Sequence, residues 1–199
     1  MIVNYSLDKL KERVFDISKK LNLSHIGSCL GNLDVLYLIY QKMKPEDLFC
    51  LGNSHAALSL YVILESVYGL DAEELYKKHG THASRDLPNN IFVSGGSLGL
   101  VEPIALGLAI ANPDKNVYLT SSDGGSMEGS FWETLRFKAD HLIPNLKWYI
   151  VANGWGAYDK INTYELMKRI VAFDPEVVVC KVNSDFGNVK GLDTHYATL

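Results

Sequence analysis

The chain has 199 residues, 47% of them hydrophobic and 21% charged, which is enough to bury one full-sized core. Its formal net charge of -4 gives no electrostatic basis for binding nucleic acid or an anionic membrane surface. No apolar run is long enough to cross a bilayer, and the N-terminal stretch carries scattered charges with no apolar block, so the expected setting is the cytoplasm. Cys29, Cys50 and Cys180 are odd in number and lack metal-ligand spacing, and they read as reduced thiols.

In chain order, residues 6–21 place Leu7, Leu10, Val14, Ile17 and Leu21 on one helical face, with Ser6 as N-cap. Asn32 is the expected cap of a second helix running to about Lys44, ahead of Pro45. The run "LFCLG" reads as a short buried strand. His55 to Tyr68 reads as an apolar helix, and Asp71 to Lys78 as a short polar one. A loop rich in His, Ser, Asn and Pro follows. From there strands and helices alternate: "NVYLTS", a helix over 126–142, "LKWYIVAN", a helix over 164–172, and "EVVVCKV". The strands are continuous apolar runs, as buried parallel strands are. The expected fold class is therefore α/β, a mostly parallel sheet with helices on both faces. Ligands of such sheets sit at strand carboxyl ends, and two strands here end at Asp123 and Asn153.

Asp123 is followed by Gly124 and Gly125. A carboxylate at a strand end caps a helix, pairs, or holds a cation. Two glycines open the approach to the next helix, whose amide groups favour an anion such as a phosphate. A carboxylate beside a phosphate needs a cation between them, and Mg²⁺ suits one or two protein oxygens plus phosphate and water. Asn153, ahead of Gly154, Trp155 and Gly156, offers an amide oxygen and a free main-chain carbonyl at Trp155; an ordinary Asn-Gly turn explains the dipeptide equally well.

The combination "SDGGSMEG…N" resembles the diphosphate-binding motif of thiamine diphosphate enzymes, and among these the chain is most similar to transketolases. "SHIGSCLGNLDVLYLIY" resembles their Gly-His-Xaa-Gly segment, and "NSHAALSLYVIL" their Gly-His-Ala helix. "SGGSLGLVEPIALGLAIA" is similar to the stretch that ends in Gly-(Ser/Pro)-Leu-Gly and a small-residue helix. "GLDTHYATL" resembles the end of the cofactor domain. The resemblance runs in order from about residue 10 to 199. It implies a thiamine diphosphate-binding fold of the diphosphate (PP) type, one domain over 1–199, with thiamine diphosphate and Mg²⁺ as cofactors.

By this resemblance Asp123, Asn153 and the Trp155 carbonyl hold the metal. His55 and His195 contact the diphosphate. His25 and His82 face substrate hydroxyls, with His79 as the alternative in the same loop, and His195 counts with the catalytic histidines as well. Gly96, Ser97 and Leu98 lie against the cofactor, as do Gly124 and Gly125. Glu128 and Glu133 match acidic residues near the subunit contact, and Glu128 counts with the cofactor-binding residues as well. Ser122 stands where the motif has its first Gly, and Leu100 where the family often has His or Gln. His141 is assigned to a helix surface.

The implied activity is two-carbon ketol transfer between sugars or sugar phosphates. The family also uses a pyrimidine domain and a C-terminal domain, which are expected on a separate chain. The expected assembly is therefore a homodimer or heterotetramer with a C-terminal transketolase-like subunit, its partner face near Leu98, Leu100 and Glu128. Two other readings remain: the α subunit of a thiamine diphosphate-dependent 2-oxoacid dehydrogenase or decarboxylase, and a non-catalytic cofactor-binding partner.

Overall fold

The computed structural model describes residues 1–199. Its sheet has four parallel strands in the order β1 (Leu48–Leu51), β2 (Val117–Ser122), β3 (Leu146–Ala152) and β4 (Val178–Lys181). Successive strand residues feed opposite cores. Phe49, Leu51, Tyr118 and Val151 pack into one cluster with α1 (Leu7–Leu21), α2 (Ile26–Lys42) and α3 (Ala57–Tyr68). Cys50, Val117, Leu119, Leu146, Trp148 and Ile150 pack into the other, with α5 (Val101–Ala111), α6 (Gly129–Asp140) and α7 (Thr163–Phe173). The remaining helices are the short α4 (Ala72–His79) and α8 (Asp193–Tyr196). Burial on both faces is why these strands read as unbroken apolar runs, and the expected α/β class is the one observed.

The exits from the strands make the crevice. After β1 the chain crosses to α3 on the first face; after β2 it passes to α6 on the second. Chains leaving adjacent parallel strands in opposite directions open a gap at their carboxyl ends, where ligands of α/β sheets bind.

Local chemistry explains most element boundaries. Ser6 accepts a hydrogen bond from Lys9 N and caps α1, Asp71 accepts from Glu73 N and Glu74 N and caps α4, and Asn162 caps α7 through Glu165 N. Two expectations are corrected. Asn32 caps nothing: α2 begins at Ile26, and Asn32 lies fully buried inside it, donating to Ser59 Oγ and accepting from Asn53 Nδ2. A polar side chain with buried partners reads like a cap when only its own chain neighbours are seen. The helix expected over 126–142 is a 3-10 turn, Gly124–Met127, followed by α6 over Gly129–Asp140.

Candidate functional site

The carboxyl ends of β1, β2 and β3 border a cleft of about 200 Å³. His25, His55, His82 and His195 all line it, carried by four separate segments. The rings of His25 and His55 lie 5.6 Å apart, and that of His195 lies 6.4 Å from His25 and 6.3 Å from His55. Burial, reinforced by the neighbouring rings, pushes His55 down to about 3 and lowers His25; burial alone lowers His195. These three imidazoles are therefore neutral at pH 7. His79 turns away: its side chain is nearly buried and its Nε2 lies 2.9 Å from Asp86 Oδ2, outside the cleft. His141 is exposed just after α6, as assigned.

His25 is the N-cap position of α2 with φ 62° and ψ 22°, a left-handed conformation uncommon outside glycine. Its amide donates to the carbonyl of His195 at 3.0 Å, which ties the C-terminal segment to the start of α2. That segment lies close because α2 has glycines where it crosses: a Cβ at Gly27 would stand 2.4 Å from Ser184 O and 2.5 Å from Thr194 Cβ.

Asp123 also lines the cleft and is 1% exposed. Its Oδ1 accepts from Gly124 N at 3.1 Å and its Oδ2 from Gly154 N at 2.7 Å, and no Lys, Arg or His pairs with it. Burial pushes the carboxyl up to about 6, against those hydrogen bonds. Gly154 takes φ 84°, which turns its amide to that carboxylate. Asn153 Oδ1 accepts from Trp155 N at 2.8 Å, so the side chain does build an Asn-Gly turn, while Nδ2 donates to Ser184 Oγ. The Trp155 carbonyl accepts no hydrogen bond from a backbone amide.

The amides of the double glycine differ from expectation. Gly125 N donates to Ser122 Oγ at 3.1 Å, and Gly124 N is engaged by Asp123. The turn is also 3-10 rather than the first turn of a long helix. An anion here would meet side-chain donors rather than a ring of free amides. One side-chain group is free to meet it: Nε2 of His195 is buried with no partner. The structure has no group of three His, Cys, Asp or Glu side chains able to hold a metal. A divalent ion would rest on Asp123, the second lone pair of Asn153 Oδ1 and the Trp155 carbonyl, completed by ligand oxygens and water. That donor set is all oxygen and suits Mg²⁺. A buried carboxylate with no basic side chain paired to it, in the same cleft as an unpartnered buried nitrogen, fits a metal–diphosphate pair.

Gly96, Leu98 and Gly124 line the cleft as well. Ser97, Gly125 and Glu128 do not. Ser97 is exposed, Gly125 is buried within the 3-10 turn, and Glu128 is exposed at the start of α6 beside Gly99. Leu100 at 48% and Met127 at 72% exposure flank Glu128 on that outer face. Sequence reasoning missed Ser28, Asn53, Ser184 and Tyr196 in the cleft. It also missed Glu102, a carboxyl 1% exposed beneath the turn that accepts from Ser121 Oγ at 2.7 Å and that burial pushes up.

Fold and cleft together define a parallel α/β protein with a polar, histidine-rich site at its strand carboxyl ends. No family profile matches the chain. It is 29% identical over 203 aligned residues to a subunit of the apulose-4-phosphate transketolase of Phocaeicola vulgatus, covering 89% of this chain and 71% of that one. It is 26% identical to the subunit of the same name from Actinobacillus succinogenes, covering 90% and 77%. A transketolase structure from Pichia Stipitis superposes with a TM-score of 0.75 at 19% identity, over 96% of this chain and 38% of that one. The chain thus spans little more than a third of that structure. These likenesses support a transketolase-family N-terminal section, with the fold of the solved transketolases.

Proposed function

We propose that the chain is the diphosphate- and Mg²⁺-holding section of a transketolase-type transferase, a single PP-type domain over 1–199, dependent on thiamine diphosphate. The observation that carries this is the presence, in one cleft, of a buried Asp123 with no Lys, Arg or His partner and of the unpartnered Nε2 of His195. Asp123, Asn153 and the Trp155 carbonyl hold the metal. His55 and His195 donate to diphosphate oxygens. Leu98 lies against the cofactor ring. The bound cofactor supplies the electron sink for carbon–carbon bond cleavage. His25 and His82 reach substrate hydroxyls and move protons there, work suited to imidazole near neutral pH.

The cleft is smaller than the roughly 300–1,000 Å³ that encloses a whole small-molecule ligand. It suits one end of the cofactor, the other end being covered by a pyrimidine-domain subunit. The relatives named as transketolase subunits support that division. The uncharged exposed face of Leu100, Ile104 and Ile110 on α5 supports a protein partner there.

The test is reconstitution of the chain with such a subunit, thiamine diphosphate and Mg²⁺, assayed with ketose donors and aldose acceptors. Ketol transfer that needs both chains, and that drops by about 10² or more in His25→Ala and His82→Ala, supports the reading. Decarboxylation of 2-oxoacids with no turnover of ketoses overturns it.

A further inference from the structure

Three of the four cleft imidazoles have a serine hydroxyl against Nδ1. Ser28 Oγ lies 2.8 Å from Nδ1 of His195, Ser24 Oγ lies 2.9 Å from that of His25, and Ser54 Oγ lies 3.4 Å from that of His82. Ser28 and Ser54 are 7% and 2% exposed, and the ring nitrogen is the hydrogen-bond partner each hydroxyl has. A buried hydroxyl left without an acceptor costs about 1–3 kcal/mol, so the proton of each points to the ring. A neutral imidazole has a single N–H, and one that accepts at Nδ1 carries its proton on Nε2. Burial lowers both His25 and His195, which keeps those rings in the neutral form where this choice exists.

For His195 this choice places the N–H on Nε2, a buried nitrogen that has no partner inside the protein. The surroundings accommodate the serines. A Cβ at Gly95 would stand 2.4 Å from Ser54 Cβ, so the glycine makes the room that the Ser54 side chain fills. The transketolase resemblance has Gly before each of two motif histidines, but this chain has Ser24 before His25 and Ser54 before His55. The hydroxyls of Ser24 and Ser54 therefore belong to this chain rather than to the motif.

We propose that Ser24 and Ser28, with Ser54 on a longer contact, are positioning residues that fix the tautomer of the cleft: each hydroxyl donates to Nδ1 and leaves Nε2–H turned to the ligand. A face of Nε2–H donors takes a ligand rich in acceptor oxygens. This deepens the diphosphate reading above and, as regards the ligand, rests on it.

The experiment uses the full chain with ¹⁵N-labelled imidazole rings, metal-free and without ligand. Long-range ¹H–¹⁵N correlation separates pyrrole-like protonated nitrogens from pyridine-like ones. The expected spectrum has protonated Nε2 and hydrogen-bonded, pyridine-like Nδ1 for His195 and His25. Ser28→Ala moves the His195 Nδ1 signal to that of an unbonded nitrogen and leaves His25 in place; Ser24→Ala does the reverse; Ser28→Thr keeps the wild-type His195 pattern. A protonated Nδ1 in the wild type overturns the proposal, as does a His195 pattern indifferent to Ser28→Ala. The wild-type spectrum decides the tautomer even if a variant fails to fold. Inorganic diphosphate with Mg²⁺ is then added. If the tautomers are as described and the Nε2 signals do not respond, the diphosphate site is wrong and the role of the serines stands.

Discussion

Replacing Gly27 with Ala tests how the site is held together. Gly27 lies in α2 just after His25, and its added Cβ would meet Ser184 O at 2.4 Å and Thr194 Cβ at 2.5 Å. Ordinary contact begins near 3.4 Å, so the C-terminal segment must retreat by about 1 Å. One obstacle is main-chain carbonyl and the other the base of a side chain, so neither can swing aside cheaply. Overpacking of this kind costs about 1–3 kcal/mol, offset in part by the better helix propensity of Ala. For a chain of this length 1 kcal/mol moves the melting temperature by about 2–4 °C, so with a net cost of about 1–2 kcal/mol Gly27→Ala should melt about 2–8 °C lower. The same retreat carries His195 away from His25 and His55, and an error near 1 Å in a catalytic geometry can cost about 10² in rate. The control is Gly107→Ala in α5, where a Cβ meets nothing within 4 Å; it should raise stability by up to about 1 kcal/mol. Thermal denaturation of both variants, with turnover of the reconstituted Gly27→Ala enzyme, is the assay. A Gly27→Ala chain as stable and active as wild type would refute the packing argument.

Three further outcomes follow from the site and its supports. His25→Gly should be about 1 kcal/mol more stable than His25→Ala, because Ala keeps the cost of φ 62° that Gly relieves; denaturant titration compares the two, and equal stabilities would show that His25 is not strained. Lys138 and Asp174 form an ion pair between the side of α6 and the end of α7, each 5% exposed or less. Lys138→Ala should therefore cost about 3–5 kcal/mol by stranding Asp174, while Lys138→Met with Asp174→Leu comes close to neutral, both read by thermal melts. The lowered His25, His55 and His195 are held unprotonated in the fold and take up protons first in the unfolded chain. Their contribution is thus complete above about pH 6.5 and is lost as the pH falls towards the folded value of about 3 for His55. Asp123, raised to about 6, works in the opposite sense, so metal-free Asp123→Asn should lose stability more steeply with acid than the wild type does.

Much of this architecture is legible in the sequence because burial leaves a mark on single strands and faces. The Leu10, Val14 and Ile17 stripe announces α1, and the runs ending at Asp123 and Asn153 announce β2 and β3. Parallel pairing in register, Ser122 opposite Val151, then brings those two polar residues side by side. What stayed hidden depends on partners distant in the chain. The start of α2 is masked because His25 is no ordinary cap, and Asn32 misleads because Ser59 and Asn53 satisfy it from other elements. Lys138 and Glu102 look like surface charges on their helices and are buried against the end of α7 and the turn after β2. The double glycine promised free amides, but Asp123 and Ser122 consume them. The serines beside the imidazoles carry no motif, and only the fold brings Ser28 to His195 across 167 positions.

The central claim is that Asp123 and Asn153 hold a divalent cation that in turn holds a diphosphate. Isothermal titration of thiamine diphosphate into the chain assembled with a pyrimidine-domain subunit, with Mg²⁺ and then with chelator, tests it most directly. The account predicts binding that disappears with chelator, returns with Mg²⁺, and is absent in Asp123→Asn although that variant stays folded. Affinity unchanged by chelator, or retained by a folded Asp123→Asn, would contradict it.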